Sequence, residues 1–204
     1  MSRTIWAVLA VLALAFAILT GLAVKRGILG SQDRTTVAIG GPFHLTDQQG
    51  RPQTEAALKG KWSAVFFGYT YCPEACPTTL LALSQAEKKL GPKAADFQTV
   101  FISVDPERDT PKVLGNYLKV SPSPTRTLGL TGTADQVGQV TRAYHVFYQK
   151  AGQGAAYEIN HSTITYLMGP KGRFVCALPY GSPPDVLAGK IEAAMKQGPG
   201  AQSC

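Results

Sequence analysis

Basic residues are not concentrated in any part of this sequence, although they outnumber the acidic ones. Lysine and arginine total 20 against 13 aspartate and glutamate residues, which gives a formal charge of +7. The densest basic clusters are only the pairs Lys25-Arg26 and Lys88-Lys89. A nucleic-acid-binding surface needs a basic stripe with interleaved aromatic residues. The missing stripe argues against nucleic-acid binding, and solubility and attraction to acidic partners explain the surplus charge better.

The sequence also lacks internal repeats and a dense cysteine framework. It has 204 residues, 4 of them cysteine, and 45% of its residues are hydrophobic. A chain of this length can bury a full core without the disulfides that very small domains require. We therefore expect one soluble domain with a short additional segment.

That additional segment is the one long stretch without charge. Residues 5–24 are almost entirely apolar, and a helix rising about 1.5 Å per residue lets such a run cross a hydrocarbon core of about 30 Å. A cleaved signal peptide would have a shorter apolar region followed by a small-residue cleavage site, whereas this run continues to Lys25-Arg26. We predict a retained transmembrane anchor in residues 1–26 and a tether at 27–35.

The rest of the chain alternates between strand-like and helix-like patterns, followed by a flexible tail at 198–204. The βαβ order followed by ββα predicts an α/β, thioredoxin-like domain over residues 36–197, with helices on both faces of a sheet. The predicted strands are 36–39, 43–46, 63–69, 97–104, 128–130, 163–168 and 173–178, the predicted helices are 78–90, 111–120, 134–144 and 184–196, and a further short segment is 54–58.

Two cysteines follow the most apolar strand directly. Cys72 and Cys76 lie in Cys-Pro-Glu-Ala-Cys-Pro, which places both sulfurs at the sheet edge where ligands bind in open α/β folds. Pro77 suits the first position of the next helix, whose positive end favours thiolates. A thiolate here is a redox nucleophile or a soft metal ligand. A structural disulfide or two inert thiols is the weaker alternative, because the loop closed is very short.

The charges flanking the apolar helix bear on orientation. Arg3 precedes it and Lys25, Arg26 and Arg34 follow it, so the positive-inside rule would leave the domain in the cytoplasm. The rule is weak for long translocated domains, however, and a dithiol that cycles suits an oxidising compartment. We expect a single-pass protein of the cytoplasmic (inner) membrane with its domain in the periplasm.

His161 is the candidate third ligand, just before a predicted strand. Two thiolates and one imidazole suit copper in both oxidation states, because thiolates are soft and imidazole also accommodates copper(II). Zinc is the main competitor, although a structural zinc site usually has a fourth Cys or His. We expect His44 and His145 to be structural or surface residues.

Other thiol chemistry on the same fold is the main alternative. A peroxiredoxin-type site would have Pro seven residues and Thr three residues before the reactive cysteine, where this chain has Val65 and Tyr69. A thioredoxin-type site would have two residues between the cysteines rather than three. Both departures favour a metal site over a general thiol–disulfide oxidoreductase, and a redox or copper sensor is compatible with the same residues.

Several motifs in the same order resemble the Sco/SenC family, whose members are membrane-anchored, thioredoxin-like proteins of copper delivery to cytochrome c oxidase. The resemblance covers about residues 36–197, and the combination is far more specific than a lone Cys-x3-Cys. The motifs are Gly41-Pro42-Phe43, Leu45-Thr46-Asp47, Phe67-Gly68-Tyr69-Thr70, Cys72-Pro73-Glu74-Ala75-Cys76-Pro77, Ser103-Val104-Asp105-Pro106-Glu107-Arg108-Asp109-Thr110-Pro111 and Asn160-His161-Ser162.

This resemblance implies that Cys72, Cys76 and His161 bind copper(I) or copper(II), and that the two thiols form a disulfide. It implies a metallochaperone for the binuclear copper centre, with the copper-bearing oxidase subunit as partner and other copper chaperones or thiol reductases alongside. Two mechanisms stay open. The protein either hands over copper or reduces the oxidase's own disulfide so that another chaperone can metallate it.

The remaining candidates are expected to be structural. Thr110 or Asp109 should cap the helix that begins at Pro111, and among the residues of this loop Asp105 alone is a candidate for orienting a ligand. Cys176 lies in an apolar strand and is most simply a buried core thiol. Cys204 is expected to be free, in a mixed disulfide or dimer-forming.

Overall fold

The computed structural model describes residues 3–25 and 38–204, and these form two separate units. The first is helix α1 (Arg3–Lys25), within which Thr4–Leu22 has a mean hydropathy of 2.6 and is long and apolar enough to cross a membrane. The predicted helix is therefore confirmed, and its insertion in a membrane stays a prediction. The predicted tether at 27–35 lies outside the described residues.

The second unit, residues 38–204, is built on a seven-stranded sheet. Its strand order is β2-β1-β5-β4-β3-β8-β9, with β3, β4 and β5 parallel at the centre and the outer pairs antiparallel. The strands are β1 (His44–Asp47), β2 (Pro52–Thr54), β3 (Trp62–Gly68), β4 (Phe97–Ser103), β5 (Thr127–Thr131), β6 (Tyr148–Ala151), β7 (Glu158–His161), β8 (Thr165–Met168) and β9 (Phe174–Leu178), and the helices are α2 (Ala75–Lys89), α3 (Pro111–Val120), α4 (Ala134–Ala143) and α5 (Pro184–Gln197).

Both faces of this sheet are buried, which explains why β3 is apolar apart from Ser63. Side chains alternate between the two faces of a strand. Val65 and Phe67 pack towards α4, whereas Ala64 and Phe66 pack towards the side of α2, α3 and α5. A mixed sheet with a parallel centre and helices on both faces is the predicted thioredoxin-like α/β arrangement, and the fold prediction is confirmed.

The differences from prediction lie at the edges of the sheet. Residues 38–39 of the predicted first strand are not in a strand, and residues 36–37 lie outside the described residues. Segment 54–58 is mainly a 3-10 helix, Glu55–Leu58. The antiparallel hairpin of β6 and β7 was not predicted, and it is a separate two-stranded sheet.

The end of the chain differs from prediction as well. Cys176 of β9 is disulfide-bonded to Cys204, with a Cα–Cα distance of 5.9 Å, so the prediction of a buried free thiol is wrong. Residues 198–204 turn back towards α5, where Gln197 donates a hydrogen bond to the Ser203 carbonyl oxygen. Cys204 therefore packs against the core formed by β9 and α5.

Candidate metal centre

The two free cysteines lie where β3 gives way to α2, at the carboxyl edge of the parallel strands. Helix α2 begins at Ala75, so Cys76 occupies its second position and Pro77 its third. The prediction that Pro77 opens the helix is wrong by two residues. The difference is tolerated because no N–H in the first turn has a partner within the helix. The N–H of Cys76 instead donates to Sγ of Cys72 over 3.3 Å.

Gly68, the last residue of β3, leaves the space that the buried sulfur occupies. A Cβ atom built on Gly68 would lie 2.7 Å from Sγ of Cys76 and 3.0 Å from the rings of Phe66 and Phe101. Cys76 is fully buried among these rings, whereas Cys72 is partly exposed. Our prediction of the site from sequence missed Gly68, although a glycine at the end of an apolar strand was a visible signal for close packing.

His161 is the last residue of β7 and approaches the thiols from the hairpin. Its Nε2 lies 3.8 Å from Sγ of Cys76, and its Nδ1 lies 2.9 Å from the carbonyl oxygen of Ser162. Because a carbonyl oxygen only accepts, Nδ1 donates to Ser162, and Nε2 is the ring nitrogen that faces the sulfurs. The ring of Tyr69 packs edge-on against the imidazole at 5.7 Å.

The fold thus brings the three predicted site residues, Cys72, Cys76 and His161, into one cluster. Their ligand atoms, two sulfurs and one nitrogen, all lie within 4.8 Å of one another. The cluster found in the described residues has these three members and no fourth Cys, His or carboxylate. Such a set fits copper better than a structural zinc ion, which usually has four protein ligands.

The two thiols differ in acidity. Hydrogen bonds from the Cys76 thiol, His161 and the N–H groups of Cys76 and Glu74 lower the pKa of Cys72 to about 4, against the opposing effect of burial. The hydrogen bond that the Cys76 thiol donates to Cys72, together with burial, raises the pKa of Cys76 far above its ordinary value. In the reduced protein at neutral pH, Cys72 is therefore a thiolate and Cys76 a thiol.

The loop after β4 is hydrogen-bonded to the segment that leads into Cys72. Asp109 is fully buried and accepts hydrogen bonds from the backbone and hydroxyl of Thr70, at 3.0 and 2.6 Å, and from the hydroxyl of Ser103 at 2.6 Å. Burial raises the pKa of the Asp109 carboxyl. Asp109 therefore ties the segment before Cys72 to the end of β4.

The other predictions for this region are resolved by their contacts. Thr110 caps α3 by accepting from the N–H of Val113, and Pro111 takes the first position, as expected. The carboxylate of Asp105 accepts from the hydroxyl of Tyr157 and pairs with Arg108, so it orients these residues rather than a ligand.

The remaining two histidines are separate from the cluster. His44 is exposed on β1, and His145 lies on the surface after α4, where its Nε2 is 3.3 Å from the carbonyl oxygen of Ala38. Both therefore match the expectation of structural or surface positions.

Comparison with known proteins gives one family. The family model described as SCO1/SenC matches residues 31–196. A curated relative, "Protein SCO2, mitochondrial" of Saccharomyces cerevisiae, is 44% identical over 147 residues, covering 70% of this chain and 48% of its own length. The chain spans about half the length of this relative and of two others, from Arabidopsis thaliana and Homo sapiens.

Solved structures of similar sequence have the same fold. ScoI of Bradyrhizobium japonicum with copper bound is 39% identical with a TM-score of 0.70, covering 76% of this chain and 99% of its own. ScoI of Arabidopsis thaliana with copper bound is 38% identical with a TM-score of 0.74, covering 78% of this chain and 99% of its own.

Proposed function

Because this chain belongs to the SCO1/SenC family, we propose that it is a membrane-anchored copper-binding protein that serves the assembly of the binuclear copper centre of cytochrome c oxidase. The observation that carries the proposal is the convergence of two cysteine sulfurs and one imidazole nitrogen within 4.8 Å at the carboxyl edge of the sheet. Copper-bound structures of similar proteins support copper as the metal.

Cys72, Cys76 and His161 are the proposed ligands, and copper is their cargo. Cys72 already holds a thiolate in the metal-free protein, so binding needs only the release of the Cys76 proton. The partly exposed Cys72 and His161 leave the cluster open on one side, where ligands of a recipient protein can displace these residues one after another.

The same pair of thiols is equipped to reduce a disulfide of the recipient. The Cys72 thiolate would attack one sulfur of that disulfide, form a mixed disulfide and release the other sulfur as a thiolate. Cys76 would then lose its proton and attack Sγ of Cys72, which closes the Cys72–Cys76 disulfide and releases the second recipient thiolate. Two electrons pass to the recipient, whose cysteines are then ready to bind copper. Copper delivery and this reduction are both within the proposed role.

We propose the periplasmic side of the cytoplasmic membrane as the place of action. The disulfide between Cys176 and Cys204 supports this orientation, since such bonds persist in oxidising compartments and are rare in a reducing cytosol. Helix α1 supports the anchoring by its length and composition.

Anaerobic copper titration of the full-length protein in detergent tests the proposal. We expect about one copper(I) per chain, and copper(II) binding with a sulfur-to-metal charge-transfer band that is lost in His161→Ala. His145→Ala is the matched control, because that histidine is exposed and separate from the cluster. A His161 variant that binds copper(II) unchanged would refute the ligand set.

One observation favours the alternative function, a general thiol–disulfide oxidoreductase: the lowered pKa of the Cys72 thiol. It predicts that the wild-type protein binds no copper yet reduces disulfides of unrelated proteins efficiently. The same titration, followed by a disulfide-reduction assay with an unrelated protein, separates the two functions.

A further inference from the structure

His161 is placed by an element that is not part of the central sheet. The thiols follow β3, the middle of the seven-stranded sheet, whereas His161 ends a hairpin whose strands pair only with each other. An isolated two-stranded hairpin is marginally stable in water. The position of the imidazole relative to the sulfurs therefore depends on side-chain contacts that hold this hairpin in place.

Arg108, in the loop between β4 and α3, makes several of these contacts. Its Nη1 donates to the carbonyl oxygens of Tyr157 and Ala155, at 2.9 and 3.3 Å. These two residues lie just before β7, the strand that ends in His161. Asp105 pairs with the Nε of Arg108 and also accepts from the Tyr157 hydroxyl at 2.7 Å. The start of β7 is thus joined to the loop after β4 by three hydrogen bonds.

The same guanidinium also contacts the loop that carries the thiols. Its Cζ lies 3.6 Å from the ring centroid of Tyr157 and 4.6 Å from that of Tyr71, the residue before Cys72. Nη2 is buried and makes no hydrogen bond among the described residues. One side chain therefore joins three segments: the thiol loop, the loop after β4 and the hairpin.

We propose that Arg108 is the positioning residue that fixes the hairpin, and with it His161, against the Cys72–Cys76 loop. Its contacts are made by a planar group with five donors, which is why arginine suits this place better than lysine. Among the described residues, Arg108 makes no hydrogen bond or ion pair with the metal ligands; it acts through Tyr157 and the backbone just before β7. This inference rests on the proposed function where it concerns copper binding. Its effect on the order of the hairpin does not depend on copper.

A double-mutant cycle in the full-length protein tests this role. Arg108→Ala should weaken copper(I) binding about tenfold, as is typical when a residue supporting a metal ligand is removed. The His161→Ala background keeps the two thiols as copper(I) ligands, and there the same change should weaken copper(I) binding by less than about twofold, because there is no imidazole left to position. Equal losses in both backgrounds would mean that Arg108 acts on the thiols or on overall stability, and would overturn the inference.

Arg126→Ala is the matched control. Nη1 of Arg126 also donates to two carbonyl oxygens, those of Ala94 and Ala95 at 2.9 and 3.0 Å. These contacts lie before β4 and β5, at the sheet edge opposite the thiols. We expect Arg126→Ala to leave copper binding unchanged in both backgrounds. A loss equal to that of Arg108→Ala would also overturn the inference.

Hydrogen exchange of the metal-free protein gives a readout independent of copper. Arg108→Ala should speed the exchange of amides in residues 148–161 while β3 and β4 stay protected, and unchanged exchange in the hairpin would refute the positioning role. If the wild-type protein binds no copper, the proposed function fails, but this comparison still decides whether Arg108 holds the hairpin. Should Arg108→Ala not fold, Arg108→Lys should show the same changes at smaller size, since it keeps the charge but not the planar group.

Discussion

The three residues of the proposed site differ in exposure, protonation and hydrogen bonding. Cys72 is partly exposed and ionised, Cys76 is fully buried and protonated, and His161 is held by a hydrogen bond from its Nδ1 to the carbonyl oxygen of Ser162. These differences decide which atom an incoming reagent or partner can reach. Cys72 is the only site thiol that is both ionised and accessible, so it is the point of first attack.

Alkylation of the reduced, metal-free protein should show this difference directly. The pKa of Cys72 is lowered to about 4, so its thiolate persists as the pH falls from 9 and is lost only as the pH passes below about 4. We expect iodoacetamide to modify Cys72 first, with a rate that changes little between pH 5 and pH 8, measured by mass spectrometry of peptides. In Cys72→Ser, Cys76 should react slowly throughout. A rate that rises with a midpoint near the ordinary thiol pKa of about 8.5 would contradict the prediction.

A single methyl group added at Gly68 should disturb the cluster. An added methyl group would lie 2.7 Å from Sγ of Cys76, and overpacking of this kind typically costs about 1–3 kcal/mol. We expect Gly68→Ala to lower both the free energy of unfolding and the affinity for copper(I), measured by urea unfolding and competition with a chelator.

Gly189→Ala is the control for this substitution. Gly189 lies in α5 with nothing within 4 Å of its added Cβ, and alanine in a helix is favoured over glycine by up to about 1 kcal/mol. This variant should be at least as stable as the wild type and bind copper normally. Equal affinities for copper in the Gly68 and Gly189 variants would show that the sulfur has room to move.

At the scale of elements, the hydrophobic periodicity of the sequence predicted the bounds of three helices closely. Helix α3 begins and ends where predicted, and α4 and α5 differ by one residue at one end. The hairpin was missed because β6 has largely exposed residues and shows no apolar alternation. Its position depends on contacts between Tyr157 and the loop residues Asp105 and Arg108, from which Tyr157 is far away in the chain. Such contacts cannot be predicted from local patterns.

The three proposed ligands could be predicted because their signals are local in the sequence. Two closely spaced cysteines after a buried strand already indicate a sheet edge, and His161 was proposed as the third ligand from its place before a predicted strand, in agreement with the family motifs. Gly68 and Arg108 were not found, because their roles depend on distances between elements. Cys176 and Cys204 were assigned separately, since nothing local in the sequence shows that the tail returns to β9.

Asp109 joins two elements, and its removal should separate them. Asp109→Ala would leave the N–H and hydroxyl of Thr70 and the hydroxyl of Ser103 without their acceptor, at a cost of about 1–3 kcal/mol for each group that stays buried and unpaired. We expect a loss of about 2–4 kcal/mol in urea unfolding.

Asp109→Asn is the matched variant for this test. One amide oxygen can still accept from Ser103 and the N–H of Thr70, and its NH2 can donate to the Thr70 hydroxyl, so we expect a clearly smaller loss. Similar stability of the Ala and Asn variants would show that these hydrogen bonds contribute little.

For the whole molecule, the disulfide between Cys176 and Cys204 should contribute to stability without affecting the metal centre. It closes a loop with a sequence separation of 28 residues, for which the chain-entropy model gives about 3–4 kcal/mol. We expect Cys204→Ser to lose up to this amount in urea unfolding while its copper stoichiometry is unchanged. Wild-type stability that is unaffected by reduction of this bond would contradict the prediction.

The two units should also be separable. A chain that begins at residue 38 lacks α1, and we expect it to be soluble and to bind copper as the full-length protein does. Reporter fusions at Cys204 of the full-length chain test the orientation. A reporter that is active only in the cytoplasm would overturn the periplasmic placement.

The closed disulfide on β9 sets a condition on the source of electrons for this protein. The same domain holds one cysteine pair that is bonded and another, Cys72 and Cys76, that is free. A small-molecule thiol strong enough to keep the second pair reduced would act on both wherever it could reach them. For repeated turnover, the reduction proposed above therefore needs a donor that acts at the sheet edge around Cys72 and leaves the bond between β9 and the tail untouched.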